Sequence, residues 1–349
     1  MKIKTEKFKR MLSSVSRLVG KNNIREICNY IEVSCEDNLF IVTSTDGTNI
    51  ITASEKLESN EDFNVLIEGE KLISLVQATN VDEIELQKKD RYLLMTGNGE
   101  YKLEFSEEEY PDYEIEPEQT YELKWSDINR ILKRHNRILA DDLSVPELTG
   151  YYLGEKTITL DGIKMAITDI DLFKDKKLLI PDEFMNLLDL FNGEEKIRLY
   201  VQDDRLLFES DTLSIFGGVL HGIRDFPDLN SYMNMEYDSY VKVDGRELKS
   251  ALKRIKIFTD ELTEFGVSIK YENSLILKDS NDKSEEKVSI KSGKGSFECE
   301  VDINNILLFL DNIDVDNVKL FYDNEKTALK VTSEDLDTEF YSAILIEEE

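Results

Sequence analysis

The chain has 349 residues, 40% of them hydrophobic and 33% charged, and 73 acidic against 43 basic residues give a formal net charge of −30. That length supports two or three domains with cores of their own, and that charge excludes unsegregated binding to nucleic acid or anionic membrane. A polyanionic partner must therefore meet basic residues gathered onto one surface.

Residues 7–19 predict a helix, because Phe8, Met11, Leu12, Val15 and Leu18 recur at intervals of three and four and share one side. Lys9, Arg10 and Arg17 occupy the opposite side, and Lys21 and Arg25 follow in the loop. Strands are predicted at 27–34, 39–46, 48–54 and 63–69, then a shorter helix at 69–78, then strands from Asp82, Arg91 and Tyr101. A Tyr110-Pro111-Asp112 turn closes this stretch.

The order then recurs at an offset of 120 positions. A second helix over 124–139 buries Ile128, Ile131, Leu132 and Ile138 and turns Arg130, Lys133, Arg134 and Arg137 outward. Strands near Tyr151, Thr157, Met165 and Lys177, a helix at 180–191 and three more strands lead to a Phe226-Pro227-Asp228 turn. The third copy starts at Tyr240, and its helix at 247–258 sets Leu248, Ala251, Leu252, Ile255 and Phe258 against Arg246, Lys249, Lys253, Arg254 and Lys256. A helix at 301–313 and three strands finish it. The fold class is therefore α+β, in three tandem domains at 1–117, 118–236 and 237–349, each with two helices packed on antiparallel strands.

Three basic helices at like positions, in so acidic a chain, form a segregated surface suited to a phosphate backbone and not to base readout. No helix-turn-helix, zinc finger or RNA-recognition consensus occurs. Cys28, Cys35 and Cys299 lack metal-type spacing and read as buried thiols of a reducing compartment. No apolar run approaches the roughly 18 residues of a membrane-crossing helix, so a cytoplasmic protein with no membrane partner is expected.

The tandem order, the aromatic-Pro-Asp joints and the Thr-Asp pairs at Thr45-Asp46 and Thr168-Asp169 resemble the bacterial sliding clamp, the β subunit of DNA polymerase III. The most specific stretches are 223–229 and 164–173. The resemblance implies a catalytically inert head-to-tail homodimeric ring around double-stranded DNA, opened by an ATP-driven clamp loader and tethering the replicative DNA polymerase. Dimer contacts carried over from the family join Tyr101, Leu103 and Phe105 to Ile257 and Phe258. A pocket for a short Gln/Leu/Phe-containing peptide would comprise Leu148, Thr168, Leu172, Phe173, Pro227, Tyr232, Ile344, Leu345 and Ile346. The family's Thr-Asp-Gly-His-Arg-Leu turn and Met-Pro-Met-Arg-Leu ending are absent here. Asp171 and Glu347 to Glu349 stand in their place, so a more basic peptide is expected.

Catalytic and cofactor readings are weak. Asp169 and Asp171 form a single Asp-x-Asp, too little for a metal site, and His221 has no nucleophile motif near it. His135, on the apolar stripe at the place of Val15 and Ile255, reads as a structural histidine. Gly217-Gly218 reads as a strand bulge, and no Walker or Gly-x-Gly-x-x-Gly sequence occurs, so no cofactor is expected. The competing reading is a tandem-domain interaction scaffold that never encircles DNA.

Overall fold

A computed structural model describes the chain apart from residues 23, 59–61, 107–109, 112, 114, 117–118, 141, 143, 171–176, 195, 221–234, 260–264, 314–315, 324–326, 335 and 346–349. One order of elements runs through it three times: a strand and a long helix, a set of strands, a second helix, and three strands. The long helices are α1 (Thr5–Val15), α3 (Trp125–Arg134) and α5 (Gly245–Ile255), and the second helices are α2 (Gly69–Ala78), α4 (Asp182–Leu187) and α6 (Ile303–Asn312).

The helices form where the apolar stripe can be buried. Phe8, Met11, Leu12 and Val15 of α1 are all buried, as are Leu248, Ala251, Leu252 and Ile255 of α5. Asp244 caps α5 by accepting the N–H groups of Arg246 and Glu247 at 3.0 and 3.1 Å, and Asp302 caps α6 through Asn304 at 2.7 Å. All three long helices stop sooner than their sequence stripes, and in the third the predicted stripe residue Phe258 lies in a short 3-10 turn after Ile255 and is 47% exposed. Leu18 and Ile138 are buried from the turns that follow, where Leu18 N–H donates to Val15 and Ile138 N–H to His135. An apolar period continues unchanged through such a turn, so it does not mark the helix end.

The chain divides into two compact units, Met1–Ile128 with Glu183–Val219, and Asn129–Asp182 with Leu220–Glu349. Unit 1 holds an eight-stranded sheet in the order Phe63–Glu68, Tyr30–Glu36, Leu39–Thr45, Ile50–Lys56, Leu213–Gly218, Arg205–Glu209, Ile197–Gln202 and Gln119–Leu123. Its first four strands come from the first repeat and its last four from the second. They join where Leu213 faces Ala53 and Phe216 faces Ile50. Unit 1 also holds a four-stranded sheet, Lys2–Lys4, Glu83–Lys88, Tyr92–Thr96 and Glu100–Glu104.

Unit 2 repeats the plan. Its nine-stranded sheet joins Lys164–Thr168 of the second repeat to Thr338–Ala343 of the third, with Met165 facing Tyr341 and Thr168 facing Thr338. Its four-stranded sheet runs Glu285–Val288, Leu275–Asp279, Gly266–Tyr271 and Phe297–Asp302. All pairings are antiparallel, for example Lys164 to Ser342 and Glu32 to Thr43. The repeats are thus sequence units, while the sheets run across the sequence boundaries.

Aromatic rings meet in both cores. In unit 1 the rings of Phe8 and Phe40 meet edge to face at 5.4 Å; in unit 2 those of Phe309 and Phe340 stack at 4.8 Å. Gly217 does not make the expected bulge, because Leu213–Gly218 keeps register with Arg205–Glu209 throughout. A Cβ there would lie 2.4 Å from the Phe184 ring, so the missing side chain makes room for that ring. All three cysteines are buried and unpaired. Among the described residues, no helix is long and apolar enough to cross a membrane.

Candidate nucleic-acid and peptide interfaces

The outward faces of the long helices carry the expected lysines and arginines, but many of these are engaged by acids. On α1, Arg10 is exposed, while Lys9 stands 3.9 Å from Glu6. Arg17 lies past the helix end and donates to both oxygens of Asp189 at 2.6 and 2.9 Å. On α3, Arg130 reaches Asp337 at 3.0 Å, and Arg134 binds the other oxygen of the same carboxylate. On α5, Lys249 pairs with Asp311 at 2.7 Å, and Arg254 grips Glu286 at 2.6 and 2.9 Å.

Arg10, Lys21, Lys133, Arg137 and Lys253 are exposed and have no acidic partner among the described residues. Arg137 sits beyond α3 at φ +60°, in the left-handed region, so it projects from a turn and not from the helix face. Arg25 is also off the helix, with its Nη1 donating to the Gly47 carbonyl at 3.3 Å. Exposed pairs such as Arg17–Asp189 are worth about 0–1 kcal/mol and exchange partners readily, whereas Arg134, with its side chain only 13% exposed, is held in place.

The predicted peptide pocket is only partly assembled from the predicted residues. Leu172, Phe173, Pro227, Tyr232 and Ile346 lie outside the described residues. Leu148 packs on an apolar patch at the joint of unit 2, formed by Ile158, Leu160, Met165, Ile167, Ala328 and Tyr341. These residues were missed because Thr157–Leu160 alternates threonine with apolar residues, which reads as a half-buried strand, whereas every position is buried.

Thr168 faces the other way. Its hydroxyl lies 2.8 Å from His135 Nε2 and 3.0 Å from the Thr338 hydroxyl, on the helix side of the sheet. Ile344 packs against the main core of unit 2, and the Leu345 N–H donates to the Glu300 carbonyl at 2.8 Å. Of the four described pocket candidates, only Leu148 touches the patch.

His135 is structural, as its place on the stripe predicts. It is fully buried, its Nδ1 is 2.8 Å from the Thr159 hydroxyl, and burial first, then Arg134, hold its pKa down to about 3.

Two further expectations need correction. The two Thr-Asp pairs are not equivalent, since Thr45-Asp46 precedes the joining strand of unit 1 and Thr168-Asp169 follows that of unit 2. The matched turns are Asp46-Gly47 and Asp161-Gly162. Asp46 accepts the N–H groups of Thr48 and Asn49 at 2.9 and 2.7 Å, and Asp161 those of Ile163 and Lys164 at the same distances. Gly47 and Gly162 have φ of 90° and 93°, a conformation that favours glycine. Among the expected dimer contacts, Leu103 is 2% exposed and belongs to the core beneath its own sheet. Tyr101 and Phe105 are half-buried, while Ile257 and Phe258 are 76% and 47% exposed.

Three tandem copies of a helix-and-strand unit, fused edge to edge into continuous antiparallel sheets, define a protein of the DNA-clamp fold. Residues 1–114 match the family model for the N-terminal domain of the DNA polymerase III beta subunit. The "Beta sliding clamp" of Chlamydia pneumoniae is 20% identical over 265 residues, covering 72% of each chain. The beta subunit of Streptococcus pyogenes DNA polymerase superposes with a TM-score of 0.91 at 17% identity, and that of Pseudomonas aeruginosa with 0.89 at 17%, each over 99% of both chains. The first third of the chain thus matches the DNA polymerase III beta subunit family, and the whole chain has the fold of the bacterial sliding clamps.

Proposed function

We propose that this protein is a sliding clamp. Two copies join head to tail, encircle duplex DNA without reading its sequence, and tether the replicative polymerase after a clamp loader opens the ring. The reading requires no catalysis.

The sheet edges carry it. Inside the chain, two joints pair an edge strand of one repeat with an edge strand of the next. Two four-stranded sheets have no such neighbour among the described residues, and their end strands Glu100–Glu104 and Glu285–Val288 hold the corresponding places in the order. Pairing of one with the other between two copies would build a second eight-stranded sheet, and because each copy has one edge of each kind, such head-to-tail pairing can close into a ring, here of two copies. Ile257 and Phe258 follow α5, which packs against Glu285–Val288, and this contact would cover them.

The basic long helices then supply phosphate contacts, led by Arg10, Lys133 and Lys253, which have no acidic partner among the described residues. Each contact contributes a slope of about −0.9 to the salt dependence, and none discriminates bases. The apolar patch beside Leu148 in unit 2 takes the partner peptide, by the anchoring of a few side chains on a hydrophobic floor.

The test combines mass and topology. Light scattering should give twice the 40.4 kDa of the chain. Protein loaded onto nicked circular DNA by a clamp loader should resist high salt and be lost on linearisation. A monomer, or salt release from circle and linear DNA alike, would overturn the reading. A scaffold of tandem domains would be retained on neither.

A further inference from the structure

The joint of unit 1 carries a cleft at the place where unit 2 carries its apolar patch, and its chemistry is different. From the matched turns and registers, Ile50 corresponds to Met165, and Phe216, which faces Ile50, corresponds to Tyr341, which faces Met165. Arg205 pairs with Gly218 as Ala328 pairs with Ala343, so Arg205 stands where unit 2 has Ala328. Thr45 and Thr52 likewise replace Leu160 and Ile167. Beside the turn glycine, the Leu148 side chain lies 4.0 Å from where a Cβ of Gly162 would be. The same place at Gly47 is filled by Arg25, with Cδ at 3.2 Å and Nη1 at 3.3 Å. The aromatic floor is kept, and the apolar rim has become two guanidinium groups and hydroxyls.

The cleft encloses about 380 Å³, within the range of built ligand sites. Its wall is completed by Tyr113, whose ring lies 4.9 Å from Phe216 and whose hydroxyl is 2.9 Å from that of Thr52. Both arginines are exposed, and neither has an ion-pair partner among the described residues. The nearby Asp46 carboxylate is occupied by Thr48 and by the backbone and side-chain nitrogens of Asn49.

We propose that this cleft is a second peptide-docking site, taking an acidic segment that carries an apolar side chain. The apolar side chain would lie on Phe216 and Ile50, and carboxylates would meet the planar forks of Arg25 and Arg205, whose geometry matches a carboxylate in two-point contact. A nucleic acid is disfavoured by arithmetic. Two cations release few counterions, which is too little to hold a phosphate backbone on a chain of net charge −30. The site stands on unit 1 alone and does not depend on ring closure. It also gives Arg25 a role apart from the basic helices.

Fluorescence anisotropy with a labelled peptide of two glutamates, leucine, phenylalanine and two more glutamates tests it on the full chain. Saturable binding is expected, weakened roughly tenfold or more by Arg205→Glu and similarly by Arg25→Glu, because one contact of a charge pair is worth about that factor. A peptide with glutamines for the glutamates should bind roughly tenfold more weakly. Both arginines are exposed, so folding should persist, and unchanged circular dichroism and melting would verify it. Binding indifferent to Arg205→Glu, equal binding of the glutamine peptide, no saturation, or displacement by a ten-nucleotide oligothymidylate would each overturn the proposal.

Discussion

On the helix side of the sheet, the joint of unit 1 has Val15, Ser44, Ala53 and Leu213 where the joint of unit 2 has His135, Thr159, Thr168 and Thr338. All eight are buried. On the opposite side the polarity reverses. Unit 1 presents Arg25, Thr45, Thr52 and Arg205, while unit 2 presents Leu148, Leu160, Ile167 and Ala328. The backbone registers are the same, so strand pairing sets the shape and side chains are left to set the chemistry. A buried position tolerates either an apolar residue or a polar group whose partners are all present, because the cost arises from polar groups left without partners.

Reciprocal exchange should break the comparison most severely. Val15→His would bury an imidazole with Ser44 as its one polar neighbour at the matched positions, and that hydroxyl already donates to the Val15 carbonyl at 2.6 Å. With overpacking added, the loss should be about 4 kcal/mol. His135→Val should cost less, about 2–3 kcal/mol, since Thr168 keeps Thr338 while Thr159 loses its ring partner. Urea denaturation measures both; a Val15→His protein as stable as the parent would show that the two fillings are interchangeable.

The polar filling should also make unit 2 sensitive to acid. His135 has a folded pKa of about 3 against an ordinary 6.5, so the unfolded state binds the proton more readily. Its contribution is fully present above about pH 6.5 and declines as the pH falls toward 3, by about 2 kcal/mol at pH 5. His135→Val lacks this dependence, so the stability gap between parent and variant should narrow by that amount between pH 7 and 5. A gap that stays constant would mean that the imidazole is solvated in the folded protein.

These differences explain what could be read from the sequence and what could not. Stripes such as Phe8, Met11, Leu12 and Val15, and alternation such as that of Tyr30–Glu36, located helices and strands, because local periodicity reports which side is buried. The strand Lys2–Lys4 went unseen, since a lone buried Ile3 between two exposed lysines has no period. Sheet fusion across repeats was invisible, because partners such as Ile50 and Phe216 are distant in sequence and nothing local marks an edge strand as joined. The inward turn of Thr168 was hidden for a related reason. Every residue from Met165 to Thr168 is buried, so polarity does not reveal which face each side chain takes. The basic helices were legible as charge patterns, but their acids, Asp189, Asp337 and Glu286, come from remote segments.

Those remote acids sharpen the contrast at the smallest scale. Asp337 immediately precedes the joining strand of unit 2 and holds both Arg130 and Arg134, and Arg134 also donates to the Thr338 hydroxyl at 2.9 Å. Asp337→Asn would leave a largely covered guanidinium short of its counter-charge beside the His135 cluster, at a cost of about 1–2 kcal/mol. The Arg17–Asp189 pair of unit 1 is close to half exposed on both sides, and Asp189→Asn should change stability by no more than about 0.5 kcal/mol. Salt separates the two further. Raising ionic strength should erase the Asp189 effect, because the Debye length falls to about 3 Å at 1 M, and leave most of the Asp337 effect in place. Equal losses in the two variants would mean that the acid of unit 2 is as solvated as that of unit 1, and the covered polar joint would lose its charged support.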